Sequence, residues 1–274
     1  MSTPAPAPVD PRPAASVVIV RESAPGAAEP LEVWMIRRKQ SMKFLGGYYA
    51  FPGGRVDAAD GAPDALTCCH GFGIEAAEAL FPGHDGLSAL AFWVTAVREL
   101  LEESGILLAC DPAGRPVDAR DPATRDAIAG LRKDLMAGAA LPALLARRGW
   151  ACDLRPLRYL SHFITPTSSP IRFTARFFLC PAPLDQSPAL FTEETSEAFW
   201  IHPGEGYRRF LAGEMAMAEP AEYGLGYLAQ FRSLDELSAA HADGRHKFHG
   251  VVDRIHGFWK DFDWKQNRFP SQTP

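Results

Sequence analysis

The 274-residue chain has no long apolar run and no block of basic residues. A membrane-spanning helix needs about 18 or more consecutive apolar residues, so we expect no membrane association. The net charge is −5, so we do not expect capture of duplex nucleic acid, although a local basic pocket could still bind a phosphate group. No basic segment followed by an apolar one stands near the start of the sequence, and we therefore expect a cytoplasmic protein.

Cysteine is also scarce, with five residues at irregular spacing. An odd, irregular set argues against a disulfide framework, so the thiols are expected to be reduced. Cys68 and Cys69 are adjacent and lack the two-residue gap of a zinc-binding pair. Packed or loop thiols are the better interpretation of these two residues.

Apolar residues make up 47% of the chain, which is enough for a substantial core. We expect a disordered tail rich in Pro and Ala over residues 1–13. A single domain should follow over residues 14–274, with insertions near 61–87 and 111–155 and a helical C-terminal extension. Trp259 and Trp264 in this extension would cover exposed core or contact a second copy, so a homodimer stays open.

Short β-branched and alternating segments predict strands, and two longer periodic segments predict helices. The order of these elements indicates a mixed α/β layer fold. Strands are predicted over residues 15–20, 31–38, 158–165 and 171–179, with a final strand ending near 201. Residues 106–109 are predicted as an apolar strand or a strand-like exit from the helix before them. Helices are predicted over 88–105 and 122–136, with shorter ones near 73–80, 141–148, 207–212 and 233–241.

Residues 98–106, which read R-E-L-L-E-E-S-G-I, are the most informative stretch. On a helix Glu99, Glu102 and Glu103 share one face, where like charges repel by roughly 0.2–0.5 kcal/mol per pair. A bound cation would relieve this repulsion. The opposite face is apolar and should pack on a core, and Gly105 is expected to end the helix in a left-handed conformation.

A glycine-rich loop precedes this helix, and residues 46–54 read G-G-Y-Y-A-F-P-G-G. Gly53 and Gly54 permit close approach of another chain segment or a ligand. A Pro-Gly-Gly turn alone is usually an ordinary loop, so its significance depends on the helix that follows.

Residues 98–106 resemble the second half of the Nudix box, R-E-U-x-E-E-x-G-U with U an aliphatic residue, without a mismatch. The first half of that box is G-x5-E, and after Gly54 and five intervening residues stands Asp60, an acid in place of the usual glutamate. Residues 61–97 then separate the halves by 37 residues, where the family usually has seven. Such an insertion resembles the peroxisomal-type coenzyme A and acyl-coenzyme A diphosphatase branch and its bacterial relatives.

The resemblance implies a Nudix-type α/β/α sandwich with a mixed sheet and helical insertions. It also implies that Glu99, Glu102, Glu103 and the Gly53 carbonyl hold Mg²⁺ or Mn²⁺, which are cations that prefer oxygen ligands. Arg98 would orient a carboxylate, and Asp60 matches the position that holds this arginine. Gly54, Asp60 and Gly105 would then support the site.

The implied reaction is attack of an activated water on one phosphorus of a diphosphate. Glu103 is the first candidate for the general base, and Glu194 and Glu197 are candidates from a later loop. Phe51, Arg37, Arg38 and Lys43 are candidates for substrate contact, although a solvated strand end explains the basic residues equally well.

Two classes of function stay open at this stage. The first is a diphosphohydrolase with coenzyme A or acyl-coenzyme A as the preferred small-molecule substrate, and with ADP-ribose or NADH next. The second is a Nudix-fold binding or sensor protein that recognises a nucleotide without cleaving it. Retention of all three glutamates favours the enzyme, because a binding protein need not keep a repulsive cluster.

Overall fold

The computed structural model describes residues 9–165, 167, 169–191 and 193–243. Ten strands and eight α-helices occur in this part of the chain, together with a short 3₁₀ helix at Ala58–Gly61. The strands are β1 (Arg12–Glu22), β2 (Leu31–Arg38), β3 (Tyr49–Ala50), β4 (Gly53–Arg55), β5 (Cys69–His70), β6 (Ala109–Cys110), β7 (Ala151–Asp153), β8 (Arg158–Ile164), β9 (Phe173–Pro181) and β10 (Thr195–Ile201). The helices are α1 (Pro63–Thr67), α2 (Ile74–Leu80), α3 (Ala89–Ser104), α4 (Pro122–Met136), α5 (Leu141–Ala146), α6 (Pro203–Leu211), α7 (Glu219–Leu228) and α8 (Leu234–Ala240).

A seven-stranded sheet with the order β10-β2-β1-β9-β8 forms the centre, and β3 and β4 pair with β2 and β1. Strand β1 runs parallel to β9 and antiparallel to β2, so the sheet is mixed. Residues 17–20 of β1 have no exposed surface. A strand that is buried on both faces needs a continuous apolar run, which explains the Val-Val-Ile-Val sequence there.

Helices cover both faces of this sheet. On one face α3 packs against Val17 and Ile19 of β1 through a core that includes Trp93 and Leu101. On the other face Val18 and Val20 belong to a second core, which also contains residues from α6, α7 and α8. The predicted α/β sandwich with a mixed sheet is therefore confirmed. None of the helices in the described ranges has the length and apolarity that a membrane span would need.

A smaller three-stranded sheet, β5-β7-β6, joins the two segments that the sequence predicts as insertions. Cys69 of the first segment pairs with Cys152 of the second in parallel register. The first segment also packs on α3, where the Phe81 ring stacks on Trp93 with centroids 4.9 Å apart. The inserted segments are thus packed on each other and on the central layer. All five cysteines are free, as the sequence predicts.

Several predicted boundaries differ from the observed ones. Strand β1 begins at Arg12 and not after residue 13, because the Arg12 amide donates to the Arg172 carbonyl at 2.9 Å and the Pro13 carbonyl accepts from Val56 at 3.0 Å. Residues 106–109 are predicted as a strand or a strand-like exit from the helix, and the observed strand there is only Ala109–Cys110. Helix α7 was not predicted at all. Residues 1–8 of the predicted tail, and Trp259 and Trp264, lie outside the described residues.

Candidate active site

The acidic helix α3 begins and ends where the sequence predicts. Ser88 caps its N-terminus by accepting a hydrogen bond from the Leu90 amide at 3.3 Å. Gly105 ends it with φ of 75°, and its amide donates to the Leu101 carbonyl. A side chain at Gly105 would also come within 3.0 Å of the Phe191 ring, which would have to give way, and the positive φ itself favours glycine there.

Arg98 lies at the centre of a buried charged network, with only 8% of its side chain exposed. Its NH1 donates to Glu99 Oε1 at 2.7 Å and to Glu102 Oε2 at 2.9 Å. Its NH2 donates to the Arg55 carbonyl at 2.6 Å. Burial disfavours the charged guanidinium, but the acidic neighbours Glu99 and Asp60 outweigh this cost and raise the pKa of Arg98.

Asp60 holds the other side of the Arg98 guanidinium. Arg98 Nε donates to Asp60 Oδ1 at 3.0 Å, and NH2 donates to Oδ2 at 3.0 Å. Asp60 is only 1% exposed, and its Oδ2 also accepts from the Thr95 hydroxyl at 2.9 Å. The shorter acid at this position therefore reaches Arg98 directly, with partners for both carboxylate oxygens.

The glycine loop lies against the acidic face of α3. The Gly53 amide donates to Glu103 Oε2 at 2.7 Å. A side chain at Gly54 would place its Cβ 2.4 Å from Glu99 Oε1, and one at Gly53 would lie 2.4 Å from the Ala15 carbonyl. Both glycines are thus required by close approach, as the sequence indicates.

The three glutamates of α3 share a low-dielectric environment. Burial raises the pKa of Glu103 to about 7, and the hydrogen bond from Gly53 acts in the opposite direction. Burial also raises the pKa of Glu99 and of Glu102, and in both cases Arg98 offsets part of the effect. A cation near these carboxylates would favour their charged forms.

A cavity of about 920 Å³ opens in front of these carboxylates. Its acidic end is formed by Glu99, Glu102 and Glu103 of α3 and by Glu194, which comes from the segment before β10. Apolar and aromatic side chains form much of the remaining wall, and Phe44 and Phe173 meet there edge to face at 4.9 Å. The apolar wall also includes Met42, Leu45, Phe163, Ile164, Phe177 and Met217.

A family model described as the NUDT19 Nudix domain matches residues 11–228. The chain belongs to the Nudix hydrolase family. It is therefore a Nudix diphosphohydrolase, α3 is its Nudix helix, and residues 54–60 and 98–106 are the two halves of its Nudix box.

Known relatives agree with this assignment. An acyl-coenzyme A diphosphatase NUDT19 from Gallus gallus is 28% identical over 84% of this chain and 71% of that protein. A putative nudix hydrolase 7 from Caenorhabditis elegans is 31% identical over 74% of this chain, which spans only 57% of the nematode protein. The crystal structure of a NUDIX hydrolase from Alicyclobacillus acidocaldarius is 33% identical, with a TM-score of 0.69, and the match covers 84% of this chain and 96% of the other.

Most of the candidate site residues lie together in the Nudix cavity. Its lining contains Arg38, Phe51, Gly53, Gly54, Arg98, Glu99, Glu102, Glu103 and Glu194. Phe51 is only 4% exposed and packs against Gly224 of α7, where an added Cβ would lie 2.7 Å from the ring. Phe51 therefore acts mainly as packing between the cavity and α7.

Three candidates do not reach the cavity lining. Arg37 and Glu197 pair with each other across β2 and β10 at 2.7 Å, and Tyr49 donates to the same carboxylate at 3.3 Å. Side chains alternate across a strand, so Arg38 faces the cavity and Arg37 does not. Lys43 is exposed in the turn that precedes β3. The predictions of a substrate contact for Arg37 and Lys43, and of a catalytic role for Glu197, are not supported by this geometry.

Two parts of the cavity wall were not found from the sequence. Arg132 of α4 lines the cavity, yet an arginine on an ordinary amphipathic helix gives no signal. Helix α7 contributes Glu219 and Glu222 to the lining. Pro220 in its first turn, flanked by these acids, is a helix-start signal, but Gly224 and Gly226 weaken the helical pattern.

Members of this family generally use divalent metal ions, so the fit of the Nudix carboxylates matters. As they stand, no three His, Cys, Asp or Glu side chains in the described ranges are grouped to hold a metal ion. Arg98 binds one oxygen each of Glu99 and Glu102, and the Gly53 amide binds one oxygen of Glu103. Carboxylate and backbone carbonyl oxygens, here from the three glutamates and Gly53, are ligands that suit a hard cation. Each of the three carboxylates has a second oxygen besides the one named above.

Proposed function

We propose that this Nudix enzyme hydrolyses the diphosphate linkage of coenzyme A or acyl-coenzyme A, with Mg²⁺ or Mn²⁺ as its cofactor. The observation that carries the proposal is one cavity with an acidic cluster at the Nudix helix and many apolar and aromatic side chains along the rest of its wall. The acidic end suits a diphosphate with its metal, and the apolar part suits a long substituent. The relative from Gallus gallus, named an acyl-coenzyme A diphosphatase, supports the same substrate class.

Glu99, Glu102, Glu103 and the Gly53 carbonyl would hold the metal. A bound Mg²⁺ or Mn²⁺ would neutralise charge on the diphosphate and lower the pKa of water. Arg98 would keep Glu99 and Glu102 in place, because it binds both carboxylates and is itself bound by Asp60. The network thus fixes two of the three acidic side chains before the substrate enters.

Glu103 is the better candidate for the general base. Glu99 and Glu102 each accept a hydrogen bond from the Arg98 guanidinium, so one oxygen of each carboxylate is already bound to a cation. Glu103 is held by the neutral Gly53 amide instead. Glu194 lines the cavity beside it and raises its pKa, so Glu194 is the second candidate.

Arg38 would steady the anionic substrate. It lies on the cavity wall, and its positive charge favours the ionised form of Glu103, which indicates that the two groups are close. Its Nε donates to the Phe44 carbonyl at 3.2 Å. This contact fixes the side chain and leaves other guanidinium donors for a phosphate oxygen.

Product identification tests the substrate. The protein is incubated with Mn²⁺ and, separately, with coenzyme A, an acyl-coenzyme A, ADP-ribose and NADH, and the products are identified by mass. We expect coenzyme A to give 3′,5′-ADP and 4′-phosphopantetheine. Turnover of another compound but not of coenzyme A or its acyl form would contradict the proposed substrate, and binding without turnover of any compound would indicate a nucleotide-binding protein.

Glu103→Gln is the matched variant for the catalytic assignment. The glutamine can still accept from the Gly53 amide, so the fold should persist while hydrolysis falls by roughly 10² to 10⁴-fold, the usual contribution of a general base. Full activity in this variant would remove Glu103 from the proposal, and the same substitution at Glu194 would then be decisive.

A cytoplasmic location and a homodimer stay predictions.

A further inference from the structure

We propose that Arg132 is a positioning residue that fixes the acidic turn, Glu193 and Glu194, against the end of the Nudix helix. Arg132 belongs to α4, within the second inserted segment. That segment would then be part of the active site and not an addition to its surface. The inference rests on the proposed function only in assigning the turn to catalysis.

The contact of Arg132 with the Nudix helix is specific. Its Nε donates to the Glu102 carbonyl at 2.8 Å. Glu102 lies in the last turn of the helix, where carbonyls lack an intrahelical donor and where a positive charge is stabilising. The same side chain is only 12% exposed, so this hydrogen bond is largely shielded from water.

The contact of Arg132 with the acidic turn comes from the same guanidinium. Its NH2 donates to Glu193 Oε2 at 3.3 Å. Its central carbon lies 3.3 Å from the centroid of the Phe191 ring, which in turn covers Gly105. One side chain therefore connects the helix that carries Glu102 and Glu103 with the turn that carries Glu194.

The turn has other anchors, but they bind its backbone and come from a different element. The Lys39 amide donates to the Glu194 carbonyl at 2.9 Å, and Lys39 Nζ donates to the Glu193 carbonyl at 3.0 Å. These bonds attach the turn to the end of β2. The Ala189 amide, a few residues earlier, donates to the Ser104 carbonyl at the end of the Nudix helix at 2.9 Å. Arg132 adds the side-chain attachment of the turn itself to that helix, and it would thereby hold Glu194 in place relative to Glu103.

Lysine should not replace this arginine. A lysine has no fork of planar donors and does not stack on a ring in the same way, so it could not bind the Glu102 carbonyl and cover Phe191 together.

Arg125 on the same helix offers a matched control. Its guanidinium donates to the Ala119 and Arg120 carbonyls of its own segment, at 3.2 and 2.8 Å.

The test compares Arg132→Ala, Arg132→Lys and Arg125→Ala with the wild type by two measurements. The first is hydrogen exchange of the amides of residues 193–195 in the full chain without substrate, expected to be about tenfold faster in both Arg132 variants, as loss of a charged hydrogen bond implies. The second is steady-state hydrolysis of the compound that the wild type cleaves. There we expect kcat to fall about 10²-fold while KM changes less than about threefold, the pattern of a misplaced catalytic group.

Unchanged exchange at residues 193–195 in the Arg132 variants would overturn the proposal. A rise in KM with kcat unchanged would also overturn it, because Arg132 would then contact the substrate directly. If Arg132→Ala does not fold, Arg132→Lys carries both measurements. If the wild type cleaves nothing in the panel, the proposed function fails, and the exchange measurement still decides whether Arg132 fixes the turn.

Discussion

Asp60 and Arg98 are 38 residues apart in the chain, yet Arg98 Nε lies 3.0 Å from one Asp60 oxygen and 3.1 Å from the other. The intervening inserted segment leaves and returns without disturbing this pair. The two halves of the Nudix box are therefore joined by a buried ion pair, although their spacing in sequence is unusual for the family.

Asp60→Asn should destabilise the protein by about 3–5 kcal/mol, because it leaves the buried Arg98 charge short of one acidic partner. Equilibrium urea unfolding measures the effect. Asp57→Asn is the control: Asp57 lies 4.0 Å from the same guanidinium but is 60% exposed, and it should cost less than about 1 kcal/mol. Equal losses of unfolding free energy in the two variants would show that the buried Asp60–Arg98 pair contributes no more to stability than the exposed Asp57 contact.

Much of the fold was predictable because its signals are local. Ser88 and Gly105 mark the ends of the Nudix helix, and Asp121 followed by Pro122 marks the start of α4. The network around Arg98 was predictable only in part. The sequence pairs Asp60 with Arg98 through the family resemblance, but the bonds from Thr95 and to the Arg55 carbonyl depend on how the inserted segment folds back.

Gly54→Ala should reduce kcat by about 10²-fold or more, because the added Cβ would lie 2.4 Å from Glu99 Oε1 and must displace that carboxylate. Gly130→Ala is the control. Gly130 lies inside α4 with nothing within 4 Å of an added Cβ. It should leave kcat unchanged and raise the free energy of unfolding by about 1 kcal/mol, the difference in helix propensity. Full activity in Gly54→Ala would show that Glu99 has another productive position.

Arg38→Ala and Arg37→Ala should differ sharply in their kinetics. Arg38 lines the cavity, and loss of a charged hydrogen bond to a substrate phosphate should raise KM by roughly 10 to 10²-fold. Arg37 pairs with Glu197 at a position where both side chains are well exposed, 39% and 45%, so its removal should change KM by less than about twofold. The measurement is steady-state kinetics of both variants on the same substrate. A larger rise in KM for Arg37→Ala than for Arg38→Ala would contradict this assignment.

The sequence could not separate Arg37 from Arg38, because alternation along a strand shows that they face opposite ways but not which way the ligand lies. That choice depends on the packing of α7 and of the segment after residue 181 against the sheet. Both are long-range features, and the glycines of α7 conceal even its local pattern. The contribution of Arg132 depends on long-range packing in the same way.

Mn²⁺ should stabilise the wild type against unfolding, by about 2.7 kcal/mol at a free concentration of 100 times Kd. Glu99→Gln and Glu103→Gln should lose most of this gain, because each removes a charged oxygen ligand. Urea unfolding with and without Mn²⁺, followed by chelation to reverse the effect, measures the difference without any substrate. Glu214→Gln is the control, since Glu214 is 60% exposed, pairs with Arg209 and does not line the cavity, and it should keep the full gain. If all the variants gained equally, the metal would bind elsewhere, and Glu99 would serve to hold Arg98 and Glu103 to hold the glycine loop.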